Sequence, residues 1–465
     1  MNWLNEIKKY EEELLQDICD LVSINSVRDD SLASEECPVG PGPKRALYAV
    51  ETLLNETGLK TEIIDNLVVQ ADWGSSDEVI GIMGHVDVVA VGEGWLSDPF
   101  VPTLREGRLY GRGVLDDKGP LVCAIFAIKI LQRLGIHPKK TVRFIIGSDE
   151  ESEWKCMKAY QKYRSFPKVG WVPDAYFPVI HGEKGTSILQ ITTGSVNRPD
   201  FYLKEFHAGV QVNMVPDKAV AVLEAEESEK ISQAFYRFIN DYSGIAGEVC
   251  RQEKNVALTL FGQSAHGSKP FLGENAATYL ARFLDAYSRV STNQQDFLSL
   301  LADCHEDSFG ESFGIAYQDP EMGKLTANVG LVSYTEEAGG LISCDCRYPK
   351  GIEFSRIQTL VASKLGECFQ VAGYEKLSPH FVSPSSELVQ CLQEVYRDQT
   401  GGQEAPLVIG GATYARLMEE GVAFGALFPD REDTMHQANE YMEVEDLLRI
   451  VAIYSETIYN LACSC

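Results

Sequence analysis

Apolar residues recur along this chain with two different periods, and the change of period marks its organisation. Leu14, Ile18, Leu21 and Val22 fall at helical spacing and predict an amphipathic helix, and residues 47–54 predict a second. Short strands are predicted at 61–64 and 67–70. Val79-Ile80-Gly81-Ile82-Met83 and Thr141-Val142-Arg143-Phe144-Ile145-Ile146 are nearly continuous apolar runs, with an apolar helix predicted between them at 119–134. Buried strands alternating with helices imply a sheet covered on both faces, an α/β layer.

From about Ser187 the strands alternate instead, at 188–193, 219–225, 255–261, 327–333 and 341–348, with helical patterns at 227–242, 273–287 and 354–366. This α+β stretch is large enough for two linked subdomains. Beyond it, a helix is predicted at 384–400, with Ser383 as cap, Pro384 at its first position and Gly401-Gly402 past its end. A strand at 422–428 and a closing helix at 444–462 resume the α/β layer. The predicted division is therefore a discontinuous α/β domain, 1–185 and 379–465, with an inserted domain at 186–378.

Potential metal ligands stand just after the predicted strands or just before a helix. They lie in Gly84-His85-Val86-Asp87, in the turn from Gly111 to Gly119 around Asp116-Asp117, and in Ser148-Asp149-Glu150-Glu151. Asp174 and His436 occupy similar settings. Open α/β sheets place ligand sites at the carboxyl ends of their strands, and His with carboxylates but no Cys is the donor set of a hydrolytic zinc centre. Asp87 is placed to accept the second ring N–H of His85. Asp116 can bridge two metals through its two oxygens; Asp116 or Asp117 can also cap the following helix. Adjacent Glu150 and Glu151 repel unless cations neutralise them, so one can bind metal while the other faces a water. Singly, each residue has a plainer reading, as a core histidine or an acidic loop beside Asp149 and Glu153; together, at successive strand ends, they favour a site. Within the insert, His266 lies in the small-residue turn Ser264-Ala265-His266-Gly267-Ser268 and can donate a hydrogen bond to an oxyanion. His137, His207, His305 and His380 read as structural or surface residues, and His181 is left open.

Length, charge and cysteine usage narrow the class. A chain of 465 residues exceeds a single core. A net charge of -27 opposes binding to phosphate backbones and to anionic membranes, so neither nucleic acid nor membrane is expected as partner. The 12 cysteines show no zinc-ribbon spacing; Cys344 and Cys346 share one face of a strand and read as buried free thiols. Cys463 and Cys465, at the terminus, are expected to be poorly ordered. Neither a signal-peptide pattern nor a membrane-length apolar run is present, and a reduced, cytoplasmic protein is expected.

These motifs, with Gly94-Trp95 after the first and Glu183-Lys184-Gly185 before the insert, resemble the co-catalytic zinc peptidase family of aminoacylases, carnosinases, glutamate carboxypeptidases and desuccinylases. The resemblance spans the chain and points most strongly to the bacterial PepV-type (Xaa-His) dipeptidases. It implies a catalytic domain with a mixed sheet covered by helices, and an inserted lid. It also implies two zinc ions, replaceable by Mn2+ or Co2+: Asp116 bridges, His85 and Asp174 complete one metal, and Glu151 and His436 complete the other. Glu150 becomes the general base, Asp87 orients His85, and His266 steadies the oxyanion. Asn213, Arg347, Gly411 and Thr413 resemble substrate-holding residues. The implied reaction is hydrolysis of unsubstituted dipeptides by a water activated at the zinc pair. The alternatives are an N-acyl amino acid deacylase or carboxypeptidase of the same family, or an inactive peptide- or metal-binding relative. Ala412 and Asp430 stand where the family commonly has Gly. The enlarged insert can supply His266 within one chain, which favours a monomer over a dimer.

Overall fold

Strands Val79–His85 and Thr141–Gly147 are buried along nearly their whole length because helices cover them on both sides. The computed structural model describes residues 2–194, 202–225, 227–252, 254–287 and 292–464. The chain divides into one unit of Met1–Gly182, Val382–Leu407 and Ala412–Cys465, and a second of Glu183–Phe381 and Val408–Gly411.

In the first unit the sheet order is Lys60–Ile64, Val68–Trp73, Thr141–Gly147, Val79–His85, Val169–Val172, Glu420–Ala423, Ile180–Glu183. Thr141–Gly147, Val79–His85, Val169–Val172 and Glu420–Ala423 run parallel, while the first two strands are antiparallel, so the sheet is mixed. Helices Glu11–Val22, Pro41–Glu56, Lys118–Arg133 and Val444–Ile458 contribute to the larger apolar core, which includes Ile82, Phe126, Phe144 and Trp171. Helix Lys155–Tyr163 supplies Cys156, Met157 and Tyr160 to a separate core with Met83, Ile145, Val172 and Tyr414. The two cores explain the continuous apolar strands, since residues pointing either way meet hydrocarbon.

The second unit is built on one antiparallel sheet. Its order is Ala246–Gln252, Asn255–Phe261, Lys218–Glu224, Tyr202–Ala208, Thr326–Thr335, Gly339–Tyr348, Gly185–Thr192, Gln370–Leu377. Where the sequence suggested two linked subdomains, the insert is one unit built on one continuous sheet. Helices Ser228–Asn240 and Ala276–Tyr287 accompany the first half, and Phe354–Leu365 packs on the last strand. Buried Cys344 and Cys346 lie in its core, with Sγ atoms 3.7 Å apart. No helix is long and apolar enough to cross a membrane among the described residues.

Several boundaries depart from the sequence reading. The helix predicted from 384 is Glu387–Thr400, capped by Ser386, which accepts Val389 N; Ser383 instead closes a turn by accepting Ser385 N and Ser386 N. The strand predicted at 422–428 splits into Glu420–Ala423 and Ala426–Leu427 around Gly425. Gly425 has φ 84°, and a Cβ there would lie 2.5 Å from the Phe177 ring. The closing α-helix ends at Ile458 and continues as the π-helical turn Tyr459–Cys463. Cys463 is buried rather than frayed, and Cys465 lies outside the described residues. The pattern does not predict strands Val169–Val172, Tyr202–Ala208, Ala246–Gln252 and Gln370–Leu377 or helices Lys155–Tyr163 and Thr292–Asp303, among others. Ala246–Gln252 and Gln370–Leu377 are edge strands rich in exposed polar residues, which erases the apolar alternation that identifies inner strands.

Candidate metal centre and active site

Three neighbouring parallel strands carry most of the cluster. Thr141–Gly147, Val79–His85 and Val169–Val172 lie side by side with one polarity, so their carboxyl ends deliver Glu150-Glu151, His85 and Asp174 to the same edge. Asp116 reaches that edge from the turn before helix Lys118–Arg133. Two glycines make the turn possible: Gly113 has φ 92°, and a Cβ on Gly119 would lie 2.0 Å from Val114 O. His436, at φ 62°, comes from the loop before strand Tyr441–Glu443.

Asp116 divides its two oxygens between two imidazoles. Oδ1 is 3.1 Å from His85 Nε2, and Oδ2 is 2.9 Å from His436 Nε2. His85 Nε2 also lies 3.6 Å from Asp174, and His436 Nε2 lies 3.2 Å from Glu151 Oε1. The side chains therefore form two triads that share Asp116: His85, Asp116, Asp174 and Asp116, Glu151, His436, each with its ligand atoms within 4.8 Å of one another.

Hydrogen bonds outside the triads fix these side chains. His85 Nδ1 donates to the Asp87 carbonyl at 2.9 Å, with the Asp87 carboxylate at 3.5 Å, so Nε2 is the ring atom left for a metal. The Asp87 carboxylate accepts Glu150 N at 3.0 Å and Glu151 N at 3.1 Å. Asp87 thus meets the ring N–H mainly through its backbone carbonyl, and its carboxylate, near the same nitrogen, also holds the two glutamate amides. Asp117 does not cap its helix through its side chain but accepts His85 N at 3.1 Å. Asp149 is held by Arg28 at 3.0 Å, which removes it from competition for a metal.

The electrostatics show how strongly negative this edge is. Burial would lower both histidines, but Asp116 and Asp174 lift His85 well above the usual imidazole range, and Asp116 and Glu151 raise His436 to about 11. Burial and the Asp116 charge push Glu151 up to about 7 and Asp174 up to about 6. Burial also pushes Glu150 well above the carboxylate range, with Asp174, Glu151 and Asp87 adding to it. Asp116 alone is held low, because the two imidazoles outweigh its burial. Protons collect here because a positive charge is needed between the carboxylates, and a divalent cation meets the same need. Glu151 Oε1 is buried without a hydrogen bond although His436 Nε2 is near, as suits an atom that ligates. The donor set of two His and three carboxylates fits zinc chemistry. The Glu150 carboxylate takes no hydrogen bond from the described residues and is left available for proton transfer.

The other candidates fall in two places. Thr413, in the first unit, is buried and accepts Ala415 N at 3.2 Å. Behind the cluster, Tyr414 hydrogen-bonds Cys156 Sγ at 2.9 Å. His181 is buried against the Val382 carbonyl at 2.9 Å and belongs to neither triad. In the second unit, Asn213 and His266 lie on paired turns, with Gly267 N donating to Asn213 O at 2.7 Å. Ser268 N donates to His266 Nδ1 at 3.2 Å, which places the ring proton on Nε2. Arg347 spends Nε and Nη2 on Asp345 and Nη1 on Thr186 and the Gly410 carbonyl. Gly411 follows in that loop. Sequence reading gave no role to Glu440 or Arg112, although Glu440 ends the stretch that contains His436; a fully buried acid beside a glycine-rich turn is visible only in three dimensions.

Comparison with known proteins gives the family of the chain. Residues 81–460 match the sequence profile described as Peptidase family M20/M25/M40. A Staphylococcus haemolyticus protein named "Putative dipeptidase" is 40% identical over 467 residues, covering 99% of both chains. A Staphylococcus aureus protein of the same name is 40% identical over 466 residues, again covering 99% of both. Human carnosine dipeptidase 1 superposes with a TM-score of 0.56 at 15% identity, covering 98% of this chain and 97% of that one. Aminoacylhistidine dipeptidase from Vibrio alginolyticus gives 0.56 at 12% identity, covering 97% of each. At such identities the two structures speak for the fold. With its two triads and a matching profile across most of its length, the chain belongs to the M20/M25/M40 family of metal-dependent peptidases and is a hydrolase acting on peptide bonds.

Proposed function

We propose that this protein is a dipeptidase of the PepV-like, carnosinase-like kind, hydrolysing unsubstituted dipeptides, Xaa-His and β-alanyl dipeptides among them. Two zinc ions would be held by His85, Asp116 and Asp174 and by Asp116, Glu151 and His436. The observation that carries the reading is Asp116, whose two oxygens face different imidazoles at 3.1 and 2.9 Å. When bound, the metal pair polarises the scissile carbonyl and lowers the pKa of water towards neutrality; Mn2+ or Co2+ can substitute.

The remaining chemistry belongs to the chain. Glu150 takes the proton of the attacking water and returns it to the leaving amine, a double duty that suits a buried carboxyl with a raised pKa. Asp87 holds Glu150 and Glu151 in register through their backbone amides. His266, with its proton on Nε2, donates to the oxyanion as it forms. Asn213, Gly411, Thr413 and Arg347 hold the substrate. Most donors of Arg347 are already engaged, so it offers a substrate carboxylate one remaining N–H rather than its full fork.

Near-complete coverage by 40%-identical proteins bearing a dipeptidase name supports dipeptides over other family substrates. Eleven described cysteines, all free, support a reducing cytoplasm, and we take the protein to act there as a monomer. The test offers dipeptides, tripeptides and N-acyl amino acids to metal-replete protein, with and without chelator. Cleavage of dipeptides alone, abolished by chelator, is expected. Preferred release from N-acyl amino acids would make it a deacylase, and C-terminal release from tripeptides a carboxypeptidase. Zinc binding without turnover on any substrate would leave a binding protein.

A further inference from the structure

Glu440 is fully buried, and so is its partner Arg112. Glu440 Oε1 accepts three backbone amides, Gly113 N at 3.0 Å, Leu115 N at 2.8 Å and Asp116 N at 3.2 Å. Its Oε2 accepts Arg112 Nη1 at 2.7 Å, and its own carbonyl accepts Gly111 N at 3.1 Å. One residue thus grips the whole turn that ends in Asp116. Arg112 in turn lies over the Trp95 ring at 5.2 Å. On the other side, Glu440 is four positions from His436, and the strand that follows, Tyr441–Glu443, pairs with Arg108–Tyr110 just before the turn. Asn439 pins the same segment by accepting Leu96 N at 2.8 Å and donating to Gly94 O at 3.1 Å.

These contacts close a ring. From Glu440 Oε1 it passes to the Asp116 amide, through the Asp116 carboxylate to His436 Nε2 at 2.9 Å, and back along the chain from His436 to Glu440. Asp116 and His436 come from distant parts of the sequence and must meet with ångström accuracy to share a cation. A buried carboxylate survives only when its hydrogen bonds are satisfied, so Glu440 tolerates little slack in the turn. We propose that Glu440 is the positioning residue of the metal centre, setting the Asp116 turn against the His436 loop and so fixing the separation of the two triads. This rests on the metal-centre reading above and adds a residue that touches neither metal nor substrate.

The test compares wild type with Glu440→Gln, which keeps the shape and one oxygen but turns an amide N–H2 towards Arg112. Two readouts are taken: zinc affinity by competition with a chromogenic chelator, and the rise in melting temperature that zinc produces over chelator-treated protein. A residue supporting only the fold would lower the melting temperature in chelator and leave the zinc-induced rise and affinity unchanged. A positioning residue weakens zinc binding, here by about 10- to 100-fold, and shrinks the rise. Arg112→Lys, which keeps the counter-charge but gives up the planar fork, serves if Glu440→Gln does not melt cooperatively, and the same direction of change is expected. Wild-type zinc affinity in either folded variant overturns the proposal while leaving the metal-centre reading intact. A wild-type protein that retains no zinc overturns both.

Discussion

Replacing Asp87 with Asn removes no ligand atom and no volume, yet it should cripple turnover. The carboxylate is almost fully buried, at 1% exposure, and its two oxygens accept the amides of Glu150 and Glu151 at 3.0 and 3.1 Å. However the new amide is turned, one of those backbone N–H groups meets an N–H2 instead of an oxygen. A hydrogen bond to a charged acceptor is worth about 1.5–3 kcal/mol, or about a 10- to 150-fold change in rate if the loss falls on the transition state. It should fall there, because Glu150 must present its carboxylate to the attacking water while Glu151 stays at the second triad. Steady-state kinetics on a dipeptide at saturating zinc should show the fall in kcat with little change in KM. Zinc content should stay at the wild-type value, since His85 Nδ1 donates to the Asp87 backbone carbonyl, which the substitution preserves. A kcat within threefold of wild type would refute the clamp. Loss of zinc instead would show that the carboxylate acts mainly on the metal ligands, through the Glu151 amide or the His85 ring, rather than on Glu150.

Glu150→Gln should retain zinc and lose most turnover, and near wild-type hydrolysis would remove Glu150 from the proton-transfer role. His266→Ala should lower kcat by about 100- to 1,000-fold, the usual loss for one oxyanion donor, with zinc content unchanged; loss of zinc would place His266 in the metal site. For metal-free protein the sign of the pH dependence follows from raised pKa values. Glu151 moves from 4.5 to about 7 and His436 from 6.5 to about 11, so each binds its proton more tightly folded than unfolded. The stability they contribute is full below the unfolded value and lost as pH rises through the folded one. The melting temperature in chelator should therefore fall from about pH 5 towards about pH 11, while the increment given by zinc grows as protons cease to compete; a chelated protein that stabilises with rising pH would contradict this.

Much of the α/β layer was legible because its signal is local. Val79–His85, Thr141–Gly147 and Lys118–Arg133 are apolar nearly throughout, and the candidate ligands follow or precede them directly. The unanticipated edge strands, Ala246–Gln252 and Gln370–Leu377, expose most of their residues and so lack that signal, and the start of helix Glu387–Thr400 was misplaced because two serines compete to cap it. By residue type and placement after apolar strands or before a helix, the sequence itself made His85, Asp116, Glu150, Glu151 and His436 candidates for one site, with Asp174 a weaker one. Only the tertiary structure decided that Asp116 faces both imidazoles, that the Asp87 carboxylate beside the His85 ring also accepts the two glutamate amides, and that Glu440 grips the turn before Asp116. Residue type and spacing report which face a side chain lies on, whereas hydrogen bonds between distant segments depend on sheet order and loop course, which no local period records.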